Sequence, residues 1–183
     1  RRFLISAAAC GVALTAGGAV WLTQAAPQVE GFPDMGSVER WLDRLVPESA
    51  RSQTAWSLAQ VLEHAAQSVE YSIDGYPLLR SSAFRASAGA LAFSVFSRRG
   101  RMSHATTDPI PGAPALAADR VESAALRLRH ALTRFERHPD DAALAPHFAF
   151  GTLDKRAYRR AHLMHLADHA REVEFATQGV PRT

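Results

Sequence analysis

The stretch Asp154-Lys-Arg-Ala-Tyr-Arg-Arg-Ala-His-Leu-Met-His-Leu-Ala-Asp-His-Ala-Arg-Glu-Val-Glu-Phe-Ala-Thr-Gln178 decides the fold class and carries the chemistry. Asp154 is a good helix cap, and the spacing predicts a helix from there to about Gln178, before Gly179 and Pro181. At about 100° per residue, His162, His165 and His169 fall on one stripe with Tyr158, Glu172 and Ala176. Arg156, Arg160, Arg171 and Glu174 occupy the opposite side, where charge meets water. Leu163, Leu166, Ala170 and Val173 flank the histidines on one side, Met164 and Phe175 on the other, so the histidines face the interior.

Upstream segments carry the same helical period. Ser37 can cap a short helix to about Val46, ended by Pro47. Beyond the caps offered by Ser52 to Ser57, Leu58, Leu62, Ala65, Val69 and Ile73 form an apolar stripe to about Ser72, closed by Asp74-Gly75-Tyr76-Pro77. A third helix is expected from about Ser82 to Arg99, with Phe84, Ala88, Leu91 and Val95 in register, and a fourth from Ala117 to Arg137. Between these two lies a loop, 101–115, with Pro109, Pro111 and Pro114, a length typical of lids and binding loops. No strand pair or internal repeat is evident. The expected class is all-α, a four-helix bundle with an extra segment.

Composition agrees with one globular domain: 183 residues, 47% hydrophobic and 21% charged. Two of the 21 cations are Arg1 and Arg2, so a net charge of +3 leaves the remainder at +1, too little for a nucleic-acid binder. A single Cys excludes an internal disulfide.

Arg1-Arg2 precede Phe3 to Leu22, an uncharged apolar run. That is the n-region and h-region of an export signal, and Thr23-Gln24-Ala25 supplies small residues for cleavage after Ala25. Arg1-Arg2-Phe3-Leu4 resembles a twin-arginine signal. Residues 1–25 are therefore expected to be an export signal or, if retained, a membrane anchor through residues 3–22, with the bundle over 26–183. Lipidation at Cys10 and a buried core helix are the remaining alternatives. Export places the domain in the periplasm, or on the inner membrane if the signal stays.

Several buried imidazoles need something to satisfy them, and a divalent metal does so through neutral nitrogens. His165 and His169, four apart, can grip one ion from adjacent turns, with His162 a further turn back; a row of hydrogen-bonded histidines is the alternative. His64 lies about 140° from its helix's apolar stripe, beside Gln60, Gln67 and Tyr71. Periodicity puts it on a solvated face, unless that helix is covered on both sides. His104, in Met102-Ser103-His104, could reach over the site from the loop, and Glu172 could be a ligand, an acceptor behind one, or a base. His130, His138 and His147 read as structural. There is no HExxH, GxGxxG, phosphate loop or GxSxG elbow.

The pairing of Trp56-Ser57-Leu58 through His64 with His165-x-x-x-His169 resembles the DinB/YfiT-like metal-binding bundles. Over Trp56–Pro77, Phe84–Pro114 and His147–Phe175, the chain is most similar to the uncharacterised domain-of-unknown-function family 1569. The resemblance implies His64, His165 and His169 as ligands of a divalent ion, with water completing the shell. It also makes His162 an additional histidine that related sequences tend to show. Ala170-Arg171-Glu172 departs from the pattern, where another His and a Gln are common. No settled activity comes with the resemblance. Two functions stay open: a metal-dependent hydrolase or transferase of an unknown small molecule, and a non-catalytic metal-stabilised module tethered to or near the membrane. Zn, Ni, Fe and Cu all suit imidazole. Homodimerisation is an open expectation.

Overall fold

The computed structural model describes residues 26–45, 49–116 and 120–176. The segment expected to be a signal or anchor, 1–25, lies outside the described residues. Among those described, no helix is long and apolar enough to cross a membrane.

The fold is mostly helical. In order it contains α1 (Met35–Leu42), β1 (Ala50–Ser52), α2 (Leu58–Asp74), α3 (Ser82–Phe84), a π-helical turn (Arg85–Gly89), α4 (Ala90–Arg99), α5 (Val121–Arg137), α6 (Lys155–Ala170) and β2 (Val173–Phe175). The core lies where α2 packs on α5 and α6, built from Leu62, Val69, Leu128, Leu132, Phe135, Tyr158 and Leu166. Ion pairs line the α2–α5 seam: Arg127 joins Glu63 and Glu70, and Arg134 grips both oxygens of Asp74. Lys155 buries its ammonium at the end of α5, donating to the Glu136 and His138 carbonyls, where a cation suits the helix C-terminus.

Ser57 starts α2 with a reciprocal cap: its Oγ accepts from Gln60 N at 3.2 Å, while Gln60 Oε1 accepts from Ser57 N at 2.9 Å. Ser57→Ala is expected to cost about 1 kcal/mol, read as a lower urea midpoint. For α1 the cap is Asp34 rather than Ser37, whose side chain instead closes the box as the third helical residue. The helix stops at Leu42, short of the expected Val46.

Three further departures from the sequence pattern have physical causes. The stripe Phe84–Ala88–Leu91–Val95 does not form one buried face: Leu91 is 66% exposed, whereas Phe93 and Phe96 pack inward. The π-helical turn adds a residue to the helical repeat and rotates α4 relative to α3. Gly89 sits there because the Ala149 carbonyl crosses so closely that a Cβ would lie 1.8 Å from its oxygen. The last helix ends at Ala170, and the chain then forms β2. That strand pairs antiparallel with β1 in the register Ala50↔Phe175, Arg51↔Glu174, Ser52↔Val173, so a strand pair exists where none was expected. Val173 and Phe175 suit a strand, Phe175 lies under the Arg44 guanidinium, and Glu174 meets Arg51 at 2.6 Å.

Candidate metal centre

Four histidines converge from three elements. His64 comes from α2, His165 and His169 from successive turns of α6, and His104 from the loop after α4. One ligand nitrogen of each lies within 4.8 Å of all the others. His165 Nε2 stands 3.2 Å from His64 Nε2 and 3.0 Å from His169 Nε2. The α6 pair follows from the four-residue spacing. His64 reaches them because α2 is covered on both sides: Glu63, His64, Gln67 and Ser68 are buried along with its apolar stripe. Trp56 packs on the His64 ring with centroids 5.0 Å apart.

Burial holds the three helix-borne rings neutral. Desolvation, then the electrostatic effect of having His104 as a neighbour, lowers His64 to about 4. Desolvation with the neighbouring His64 and His104 takes His169 to about 2 and, with His169, His104, His64 and His162 beside it, holds His165 well below the usual range. Neutral imidazole is the form a metal requires.

His104 is oriented by a carboxylate. Its Nδ1 lies 2.8 Å from Asp168 Oδ2, and its backbone N–H donates to the same oxygen at 3.1 Å. Arg171 takes the other oxygen of Asp168 at 2.9 Å. Asp168 escapes a reading by residue pattern, because its partner is a loop residue 64 positions away. The only signal was an acid among basic neighbours beside His169.

Two expected candidates lie apart from the cluster. His162 is buried between Phe135 and Tyr158, with Nε2 3.2 Å from Ser72 Oγ, a hydrogen-bonded core position. The earlier end of α6 puts Glu172 in the turn before β2, off the histidine stripe; its carboxylate is not among the converging groups, and Oε2 is buried without a hydrogen-bond partner. His147 stacks its ring on Phe150 and its Nδ1 accepts from the Ala149 and Phe150 amides at 3.1 Å.

A cavity of about 440 Å³ opens beside the histidines. His64, His104 and His165 line one part of it, and Phe84, Phe96, Met102, Ile110, Phe148 and Phe150 supply apolar walls, with Arg80 and Asp108 also lining it. Its size and composition are those of a small-molecule site.

The donor set fits a divalent ion. Tetrahedral coordination at the usual Zn–N length sets neighbouring nitrogens about 3.3 Å apart, close to the two spacings at His165. Comparison with known proteins gives a family but no described relative: no curated protein and no solved structure matches the chain. A family model described as "Protein of unknown function (DUF1569)" matches residues 27–175, which is most of the chain and includes all four histidines. The chain therefore belongs to the DUF1569 family.

Proposed function

We propose that this is an exported, divalent-metal-binding protein of the DinB-like four-helix-bundle type, with His64, His165 and His169 as ligands. One observation carries the metal reading. His165 Nε2 offers either one hydrogen or one lone pair, yet it faces two other Nε2 atoms at 3.0 and 3.2 Å. It can satisfy only one of them by hydrogen bonding, whereas a cation satisfies all three lone pairs together. Zn, Ni, Fe and Cu all remain compatible with imidazole donors.

With its cavity at the cluster, the protein fits a metal-dependent hydrolase or group transferase acting on a small, largely apolar molecule. A divalent ion there would supply Lewis-acid chemistry. The chain's own contribution is to hold the donors neutral, exclude water with Phe96, Phe148 and Phe150, and orient His104 through Asp168. A non-catalytic, metal-stabilised module is the second reading, favoured by His104 standing as a fourth nitrogen, since structural sites fill their shell. Export, with either signal cleavage or retention as a membrane anchor, rests on residues 1–25 and belongs to the proposal.

Elemental analysis of the purified full chain beside a His165→Ala/His169→Ala variant tests the metal reading. About one equivalent of metal in the first and almost none in the second is expected, with unchanged far-ultraviolet circular dichroism. A full chain that takes up no metal after reconstitution with Zn, Ni, Fe and Cu would overturn it.

A further inference from the structure

We infer that His104 is an exchangeable fourth ligand, delivered by the loop after α4 and oriented by Asp168; this rests on the metal reading above. The three helix-borne histidines and the loop histidine differ in how they are held. His64 and His169 are buried on long helices, at 4% and 1% exposure, and His165 is half-buried on the second of them. The His104 side chain is 30% exposed, on a segment with no helix or strand between Gly100 and Leu116. Its backbone N–H and its Nδ1 both address a single atom, Asp168 Oδ2.

That arrangement determines which nitrogen faces the cluster. A carboxylate accepts, so Nδ1 carries the hydrogen and Nε2 keeps its lone pair for the cation. Arg171 occupies Asp168 Oδ1 and reaches Glu30 at 3.6 Å, which keeps Oδ2 turned toward the loop. Turning one carboxylate would release both hydrogen bonds to His104 together. The same loop contributes Met102 and Ile110 to the cavity wall, so a molecule entering the cavity presses on the segment that carries His104. The molecule that takes its place has an apolar body, to match the phenylalanine walls, and one lone-pair donor at its head.

The test uses the full chain loaded with Co(II), whose visible absorption reports the ligand set. His104→Gly is expected to retain one equivalent of Co(II), hold it at least tenfold less tightly and change the absorption envelope. Millimolar imidazole, entering the space left by the side chain, should restore the original envelope. Asp168→Asn should keep the envelope while weakening Co(II) by 10–100-fold, the effect typical of losing a ligand's orienting partner. An envelope and affinity in His104→Gly equal to wild type, with His165→Ala/His169→Ala empty, would overturn this inference alone. A wild-type chain that binds no Co(II) would overturn both it and the metal reading.

Discussion

Lowering the pH from 7 to 5 is expected to remove roughly 4 kcal/mol of folding stability through His147 and His162 alone. Burial lowers both to about 3 in the folded chain, with the His162 charge adding to the effect at His147. An unfolded chain returns them to about 6.5. The folded pKa lies below the unfolded one, so the unfolded state binds more protons in the interval between them. Stability is therefore complete above about pH 6.5 and falls as the pH drops below it, each histidine contributing close to 2 kcal/mol by pH 5. Local bonding points the same way: protonating His147 Nδ1 would put a hydrogen where two backbone amides now donate. Urea unfolding of chelator-treated protein at pH 7 and pH 5 measures the loss, with His64 and His169 adding to it. His162→Leu should reduce the acid sensitivity by about 2 kcal/mol. Equal urea midpoints at the two pH values would show that these rings are solvated.

Gly89→Ala is expected to destabilise the fold by about 3 kcal/mol, at the upper end of what an overpacked methyl usually does. The added Cβ would meet Ala149 O at 1.8 Å, Ala149 C at 3.0 Å and Phe84 O at 3.3 Å. All three are backbone atoms, so no side-chain rotation relieves the clash. Relief requires moving either the π-helical turn or the 147–151 hairpin, which is closed by His147 N to Gly151 O at 2.8 Å. That hairpin carries Phe148 and Phe150 of the cavity wall, so any ligand of the proposed site should bind less tightly as the thermal midpoint falls. Leu91→Ala, two residues further on and exposed, is the control and should leave both unchanged within about 0.5 kcal/mol. A Gly89→Ala variant as stable as wild type would mean that helix and hairpin do not approach closely.

The parts of this fold that periodicity reveals are those with long one-sided stripes. Leu58–Leu62–Ala65–Val69 and Val121–Ala125–Leu128–Leu132–Phe135 pack where their spacing puts them, and the His165/His169 pair faces inward as its neighbours imply. What escapes has no periodic trace. A π-helical turn at Arg85–Gly89 leaves no residue-type signature beyond a glycine, and the glycine answers to a carbonyl 60 positions away. Three-residue strands are too short for their alternation to stand out from the end of a helix. His64 illustrates a helix with two buried faces: the second is polar, so composition reads it as solvated although it faces the cluster. His104 was legible as a candidate only because its loop is unusually long, and its bond to Asp168 is purely tertiary.

The β1–β2 ribbon joins residues 123 apart in the Arg51–Glu174 pair, and the His64–His165 contact spans 101. Closures over such separations come late, because a chain must first lose the entropy of a large loop. While the protein is being synthesised, His64 emerges ahead of His104 and 101 residues ahead of His165, so the nascent polypeptide carries an incomplete set of donors over a long stretch of its synthesis. The complete nest of nitrogens appears only after α6 leaves the ribosome. Assembly of this site is therefore timed by the docking of α6 against α2.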